Sequence, residues 1–136
     1  TKFNMEYFKN YIIGKERAIK DLLMDQKFIS GLGNIYVNEI LFFSGIRPAK
    51  KINKLKDIEI RKIVKFSKKI ISKAIILGGS SIKDFSSSSG KKGSFQQYFS
   101  VYGKKGEDCP KVKCIGKIKK IVIANRASFF CNKCQK

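Results

Sequence analysis

The four cysteines of the 136-residue chain stand in two close pairs, Cys109 with Cys114 and Cys131 with Cys134. Two short cysteine knuckles on separate turns supply the four thiolates that a tetrahedral structural zinc ion requires. The first knuckle has four residues between its cysteines and the second has two, and both spacings are usual for zinc sites. The chain has no histidine, so an all-cysteine site is the only conventional option for structural zinc.

Two disulfides or four free thiols are the alternatives to zinc. Disulfides are typical of secreted proteins, and the sequence carries no recognisable secretory signal. We therefore expect a reducing compartment and one structural Zn²⁺ ion bound by all four cysteines.

The segment between the two knuckles has the pattern of a β-hairpin. Ile118, Ile121 and Ile123 are mixed with lysines, as in a half-buried strand, and Asn125 favours a turn at the centre. Zinc would anchor both ends of this hairpin and supply part of its folding free energy. Arg126 would then lie at or near the tip, where it could contact a phosphate or simply be solvated.

The composition is strongly basic. Lys and Arg number 30 against 10 Asp and Glu, which gives a formal net charge of +20 at pH 7. A folded basic surface favours a polyanionic partner, most simply nucleic acid, although a lysine-rich source proteome would produce the same composition. No apolar run is long enough for a membrane span, and no helix pairs a purely apolar face with a purely basic one. Nucleic acid is therefore favoured over a membrane surface.

Hydrophobic periodicity predicts a mainly α-helical chain with a small β part. The predicted helices are Asn4–Ile13, Arg17–Ile29, Ile35–Ser44, Asp57–Leu77 and a short one over Phe95–Tyr102, with a basic linker over 49–56. The longest helix places an apolar stripe towards the core, formed by Ile60, Ile63, Val64, Ile70, Ile71 and Ala74.

A glycine turn precedes the third helix. Gly31 and Gly33 are followed by Asn34, and a helix N-terminus behind such a turn can bind an anion through its free amides and its dipole. Asn34 could offer its side-chain amide to a phosphate, but the spacing favours the simpler role of an N-cap. Gly45 is expected to end the helix.

Residues 80–94 are mostly polar and rich in serine and glycine. Such a segment is either a linker between a helical module and a zinc module or a mobile lid that becomes ordered on a ligand. We predict one domain over residues 1–95, which includes this loop, and a second over 96–136.

Several short motifs occur in a fixed order along the whole chain. They are Asp25-Gln26, Gly31 to Tyr36, Glu39, Gly45 to Pro48, Gly78 to Phe85, Gly93 to Gln97, Val101 to Gly103 and Arg126 to Gln135. Each is weak alone, but the ordered set resembles the C-terminal half of bacterial formamidopyrimidine-DNA glycosylases. The resemblance implies a helix–two-turn–helix DNA-binding domain followed by a β-hairpin four-cysteine zinc finger.

That family excises oxidised purines, such as 8-oxoguanine and formamidopyrimidines, and then cleaves the abasic strand. The resemblance therefore implies a repair glycosylase and lyase that acts on double-stranded DNA with an oxidised purine or abasic site. We expect a monomer in the bacterial cytoplasm, associated with the nucleoid.

The resemblance also implies roles for individual residues. Lys20, Asn34 and Arg126 match residues that hold the DNA phosphates around the flipped nucleotide, and Glu39 matches a glutamate near the active centre. The base-lid loop corresponds to the segment that contains Ser86, Gly90, Lys91, Lys92 and Gly93. The zinc ligands correspond to Cys109, Cys114, Cys131 and Cys134.

Two departures from the family pattern bear on activity. The family's nucleophile is an N-terminal proline amine beside a glutamate, in a domain absent from this sequence, and neither Pro48 nor Pro110 offers a free amine. We therefore expect the chain alone to bind damaged DNA and zinc without catalysis. The first knuckle is two residues longer than the commonest family form, which predicts a different loop over Lys111–Lys113.

Two other functions stay open at this point. One is a stand-alone zinc-dependent module that binds DNA or structured RNA without catalysis. The other is a structural zinc protein that binds ribosomal RNA, which leaves the ordered motifs unexplained.

Overall fold

The computed structural model describes residues 3–76 and 99–136, with side chains described over 3–72 and 99–136. The helices are α1 (Met5–Tyr11), α2 (Ile19–Leu23), α3 (Asn34–Ser44) and α4 (Asp57–Ile76), and an antiparallel hairpin of β1 (Ile118–Ile123) and β2 (Arg126–Cys131) follows. The prediction of a mainly helical chain with a small β part is confirmed. Within the described ranges, no helix is long and apolar enough to cross a membrane.

α1 begins at Met5, and Asn4, the first residue of the predicted helix, is its N-cap. The Asn4 side-chain oxygen accepts a hydrogen bond from the Tyr7 backbone N–H at 2.9 Å, which satisfies one of the free amides of the first turn. The helix ends at Tyr11, slightly earlier than predicted, and the chain then turns through Gly14 at a φ of +75°.

α2 is much shorter than the predicted helix over residues 17–29, because a side chain captures the backbone after Leu23. The Asp25 carboxylate accepts a hydrogen bond from the Lys27 backbone N–H at 2.9 Å, and such local bonds compete with the helical ladder. Arg17 also donates to the Asp25 carboxylate at 2.9 Å, which stabilises the turn rather than a longer helix.

α3 is the central helix, and most of its residues are buried. It begins at Asn34, with Gly33 at the N-cap position and no side-chain cap. The predicted capping role of Asn34 is therefore wrong, since its side chain points to the hairpin instead. At the other end Gly45 adopts a φ of +74° and ends the helix, as predicted.

Two clusters of buried side chains form the core. The larger one joins the four helices and includes Phe8, Ile19, Leu22, Leu23, Val37, Ile40, Leu41, Ile46, Ile52 and Ile63. The smaller one lies around the cysteines and includes Phe42, Val101, Cys109, Ile118, Phe129 and Cys131. Because Phe42 belongs to α3, this helix contributes to both clusters.

α4 presents the predicted apolar face to the larger cluster. Ile60, Ile63 and Val64 are buried, and Ile70 and Ile71 pack against its edge; the Ala74 side chain lies outside the described ones. The preceding segment 49–56 is not a plain linker, because Ile52 is buried in a 3-10 turn over Ile52–Lys54.

The predicted hairpin is confirmed. Ile118 pairs with Cys131 and Ile123 pairs with Arg126, so Arg126 opens β2 directly after the turn. Ala124 and Asn125 have φ values of +50° and +63°, as a two-residue type I′ turn requires. Of the three isoleucines that indicated a half-buried strand, Ile118 is buried, whereas Ile121 is exposed.

The predicted helix over Phe95–Tyr102 is not found in its described part, residues 99–102, which form a bend and a turn. The reason is the Glu39 carboxylate on α3, which accepts hydrogen bonds from the backbone N–H groups of Ser100, Val101 and Tyr102 at 2.7 to 3.0 Å. Residues 77–98 lie outside the described ranges, and so do the predicted lid loop and the domain boundary after residue 95.

Candidate metal centre and nucleic-acid interface

The four cysteine sulfurs lie within 4.8 Å of one another, and none is in a disulfide. The Sγ–Sγ distance is 3.7 Å between Cys109 and Cys134, and 3.6 Å between Cys114 and Cys131. A tetrahedral Zn–S₄ centre with bonds of about 2.3 Å has edges of about 3.8 Å. The donor set and its spacing therefore fit the predicted zinc ion, and the four cysteines are its candidate ligands.

Backbone amides around the Cys131 sulfur favour its thiolate. Burial opposes ionisation of Cys131, but N–H groups of Cys134 and Lys133 point at its Sγ at 3.4 Å and lower its pKa to about 7. Burial raises the pKa of both Cys109 and Cys134. Four thiolates this close repel one another, so a bound cation is what allows all of them to be ionised.

Gly116 lies against the cysteine cluster in a way that excludes any side chain. A Cβ atom built on Gly116 would lie 2.4 Å from the Cys131 Sγ and 2.9 Å from the Lys133 Cβ. Its backbone N–H also points at the Cys114 Sγ at 3.4 Å. Gly116 is therefore part of the candidate metal centre, although sequence spacing gave no sign of it.

The longer first knuckle is accommodated by a left-handed residue. Lys113 has a φ of +66°, and the Cys114 backbone N–H donates to the Lys111 carbonyl at 3.1 Å to close the turn. This conformation is uncommon for a residue with a side chain. The predicted loop over Lys111–Lys113 thus forms a tight turn beside the sulfurs.

Gln135 connects the second knuckle to the end of α3. Its side-chain oxygen accepts from the Cys131 N–H at 2.7 Å, and its side-chain amide donates to the Ile46 carbonyl at 2.9 Å. Arg47 donates to the backbone carbonyls of Gln135 and Asn132 at 2.9 and 2.8 Å. These bonds fix the metal centre against the helical part of the molecule.

Asn38 connects β2 to the middle of α3. It is fully buried, its side-chain oxygen accepts from the Phe129 N–H at 2.7 Å, and its amide donates to the Asn34 carbonyl at 2.8 Å. The same amide approaches the Ala127 carbonyl at 3.4 Å. Asn38 was not identified from the sequence, and Gln135 was named there only as the end of a motif, because a lone buried amide has no recognisable spacing.

The three residues matched to phosphate contacts, Lys20, Asn34 and Arg126, come together around the start of β2. The Ala127 carbonyl accepts hydrogen bonds from the Lys20 ammonium at 2.9 Å and from the Asn34 side-chain amide at 3.1 Å. Arg126 is the preceding residue and is exposed. Residues from α2, α3 and β2 thus form one cluster, which we call the Lys20–Asn34–Arg126 cluster.

The Lys20 side chain is buried together with its charge. It is 1% exposed, and its ammonium also donates to the Ser128 hydroxyl at 2.6 Å. Burial and the nearby Arg126 charge lower the pKa of Lys20 to about 8, so the ammonium is still largely protonated at neutral pH. Both acceptors are neutral, and Lys20 has no ion pair with any carboxylate among the described residues.

A cavity of about 260 Å³ lies beside Lys20 and Arg126, and Asp21 and Asp25 also line it. Both carboxylates are already paired with Arg17, at 2.9 Å each. The hydrogen bonds that Arg17 donates to Asp21 and Asp25, and the charges of these carboxylates, raise the pKa of Arg17. Arg17 therefore stays protonated and paired at neutral pH. The acidic groups of the cavity are therefore bound to Arg17, and neither of them forms an ion pair with Lys20 or Arg126.

The N-terminus of α3 adds its own positive end to this cluster. Gly33 provides no side-chain cap, and the first amides of an α-helix have no partner within the helix. The Asn34 side-chain oxygen is buried without a hydrogen-bond partner. An anion at this position would meet free amides and the positive end of the helix dipole.

Glu39 does not face the Lys20–Asn34–Arg126 cluster through any described contact. Its buried carboxylate instead binds the amides of residues 100–102. The lid residues Ser86, Gly90, Lys91, Lys92 and Gly93 fall outside the described ranges.

Comparison with known proteins identifies the family. The family profile of the formamidopyrimidine-DNA glycosylase H2TH domain matches residues 1–86. The chain belongs to the formamidopyrimidine-DNA glycosylase family. The match ends before the cysteines, which the relatives cover.

Relatives in this family extend over nearly the whole chain. Formamidopyrimidine-DNA glycosylases from a Ruegeria species and from Haemophilus influenzae are 39% and 44% identical, over 98% and 99% of this chain. The chain covers 47% and 49% of these proteins. It therefore spans about half the length of the curated relatives it matches.

Solved structures have the same fold. The Lactococcus lactis formamidopyrimidine-DNA glycosylase bound to DNA with an abasic site superposes with a TM-score of 0.82 at 39% identity, over 98% of this chain and 47% of that one. MutM in complex with DNA that contains carbocyclic 8-oxo-G gives a TM-score of 0.81 at 38% identity, over the same shares.

Gly116→Ala should weaken zinc binding without changing any ligand. The added methyl group would overlap the Cys131 Sγ, and overpacking of this kind costs about 1–3 kcal/mol. Converted into affinity, this free energy corresponds to a fall in zinc binding of about 5- to 150-fold. Competition with a chromophoric chelator measures it.

Gly33→Ala is the matched control, because Gly33 has a φ of −97° and a methyl group there would meet no atom within 4 Å. It should bind zinc like the unaltered chain, and Cys131→Ser should lose it. Equal chelator resistance of Gly116→Ala and the unaltered chain would show that Gly116 does not lie against the Cys131 sulfur as described. Zinc retained by Cys131→Ser would show that the four sulfurs are not the metal site.

Proposed function

We propose that the chain is the DNA-binding part of a base-excision-repair glycosylase and abasic-site lyase that removes oxidised purines. The main support is the Lys20–Asn34–Arg126 cluster, in which a buried ammonium and an exposed guanidinium lie together without a carboxylate partner among the described residues. Family membership and the DNA complexes of structural neighbours agree with this proposal.

In this proposal α2, the turns over 24–33 and α3 form the helix–two-turn–helix element. The turns bring the α3 N-terminus beside Lys20, and the hairpin adds Arg126 from the other side. These groups would bind phosphates on the strand that contains the damaged nucleotide. Phosphate contacts orient a strand without reading its sequence, as a scanning repair enzyme requires.

The electrostatics of the cluster favour an anion. Burial is the main cause of the lowered pKa of Lys20, and repulsion from the Arg126 charge lowers it further. A phosphate between them would remove that repulsion and stabilise the protonated form of Lys20. The energy so gained offsets part of the cost of flipping a base out of the stack, which is a few kcal/mol.

The zinc ion has a structural role in this proposal. Bound by Cys109, Cys114, Cys131 and Cys134, it supplies folding free energy to the hairpin and takes no part in bond cleavage. Gly116 gives the sulfurs room, and Gln135 orients the second knuckle. These contacts hold β2 in place, and with it Arg126, the first residue of this strand.

We further propose that the 136-residue chain alone does not cleave DNA. An amine nucleophile must be unprotonated and free to attack, and both prolines, Pro48 and Pro110, are inside the chain. Lys20, whose pKa is lowered, is enclosed by the Ala127 carbonyl and the Ser128 hydroxyl. In the full-length enzyme, which would act at the bacterial nucleoid, the nucleophile would come from the other half.

Arg126→Ala should weaken binding of a duplex that carries an abasic-site analogue, because one phosphate contact is lost. Hydrogen bonds to charged groups contribute about 1.5–3 kcal/mol, so we expect about a 10- to 150-fold loss and a salt slope that is about 1 unit shallower. Fluorescence anisotropy over a salt series measures both.

Lys105→Ala removes one charge from another exposed position and serves as the control. It should change the affinity little. If Arg126→Ala and Lys105→Ala bind equally well, Arg126 has no phosphate contact, and if the unaltered chain fails to bind duplex DNA at low salt, the proposed function is wrong.

Borohydride trapping tests the assignment of catalysis to the other half. Reduction converts a Schiff base between an amine and the abasic sugar into a stable covalent adduct. We expect no adduct between the chain and DNA with an abasic site under conditions in which the two bind. Efficient trapping would place a nucleophile within this chain. If a full-length form also bound this DNA without being trapped, the alternative function would be favoured, which is a zinc-dependent nucleic-acid module without catalysis.

A further inference from the structure

Beyond its first turn, α4 carries a row of exposed basic side chains on the face opposite its buried stripe. They are Arg61, Lys62, Lys65, Lys68 and Lys69, and we call them the basic stripe. The sequence-based expectation that no helix pairs an apolar face with a basic one is therefore wrong for this helix. None of them forms an ion pair with a described residue. The stripe is thus a compact patch of five uncompensated charges on one helix.

The spacing within the stripe is unfavourable for the helix itself. Lys65 lies four residues from Arg61 and Lys69, and three from Lys62 and Lys68. Like charges at these spacings lie on adjacent turns and destabilise a helix. Folding alone does not account for such a pattern. A bound polyanion would attract each of these side chains and so offset the repulsion between them.

The acidic residues of α4 do not relieve this repulsion. Asp57 and Glu59 are both in the first turn, and they pair with Lys9 at 3.2 Å and Lys50 at 2.7 Å. Beyond Glu59, α4 contains no acidic residue. The stripe therefore faces solvent as an uninterrupted positive surface.

One end of the basic stripe borders the turn that leads to the Lys20–Asn34–Arg126 cluster. A groove of about 630 Å³ separates Lys68 and Ser72 on α4 from Phe28 and Ser30. Ser30 directly precedes the glycine turn at the start of α3. The groove therefore connects one end of the basic stripe with the segment that leads into the glycine turn before Asn34.

We propose that the basic stripe of α4 is a second phosphate-binding surface, which contacts duplex DNA beyond the strand held by the Lys20–Asn34–Arg126 cluster. The eight residue steps from Arg61 to Lys69 span about 12 Å, a length over which duplex DNA carries about seven phosphate charges. This inference rests on the proposed function, since it takes the partner to be DNA. The inference extends the proposed DNA interface from the Lys20–Asn34–Arg126 cluster to α4.

The test compares two variants with the same change in net charge. The stripe variant combines Lys65→Gln, Lys68→Gln and Lys69→Gln, and the control combines Lys51→Gln, Lys54→Gln and Lys105→Gln, which are exposed, have no described ion pair and lie outside the cysteine knuckles. Affinity for a fluorescent duplex of about 25 base pairs, two or more helical turns, is measured at salt concentrations from about 50 to 200 mM. Thermal unfolding and zinc content verify that both variants are folded.

We expect the stripe variant to lose about 10- to 100-fold in affinity at the lower salt concentrations, with a salt slope about 2 to 3 units shallower, and the control to change the slope by less than about 1 unit. Equal slopes for the two variants would overturn the inference and leave only a general effect of net charge. The proposed function would survive that result, because Arg126→Ala would still weaken binding. If the stripe variant lost affinity for a double-stranded RNA of equal length but not for DNA, the stripe would be an RNA surface and the inference would be wrong.

Discussion

The backbone carbonyl of Ala127 accepts hydrogen bonds from both helices of the candidate DNA-binding site. Lys20 on α2 and Asn34 on α3 donate to it at 2.9 and 3.1 Å, and Asn38 approaches it at 3.4 Å. A carbonyl has two lone pairs, so the two shorter bonds use its full capacity. This contact fixes the start of β2 against the helices, and therefore fixes Arg126, the residue before it.

The hairpin depends on two attachments. A two-stranded hairpin is at best marginally stable alone, and this one is joined to the candidate zinc centre at Cys131 and to α3 through Asn38. The buried amides of Asn38 and Gln135 each use both the oxygen and the nitrogen in hydrogen bonds. Fully bonded polar groups of this kind allow only one arrangement of the packed elements. The metal centre holds the end of β2 at Cys131, and the polar contacts hold the strand against α3. Together they fix the position of Arg126.

Features that depend on local chemistry could be predicted from the sequence. The cysteine spacing predicted the sulfur cluster, and Asn4 and Gly45 marked the ends of helices, because capping involves residues a few positions apart. Features that depend on distant partners could not. Gly116 is required by a sulfur that is 15 residues away, and no periodicity predicts it.

Asn34 shows why local reasoning fails at the candidate site. A residue between a glycine turn and a helix is usually a cap, but the carbonyl of Ala127, 93 residues further along, takes its amide instead. The length of α2 was wrong for a related reason, because Asp25 binds a backbone amide that a continued helix would use. The resemblance to a known family identified Lys20, Asn34 and Arg126, whereas their burial and partners came only from the structure.

A double-mutant cycle between Asn38→Ala and Arg126→Ala, read out as affinity for duplex DNA with an abasic-site analogue, tests the central claim most directly. Ser44→Ala is the control on the same helix, since the Ser44 hydroxyl is buried without a partner. If Asn38 positions β2 and with it Arg126, the second substitution should cost little once the first is made, with a coupling energy of at least about 1 kcal/mol. Effects that add within about 0.5 kcal/mol, in folded and zinc-loaded proteins, would contradict the account.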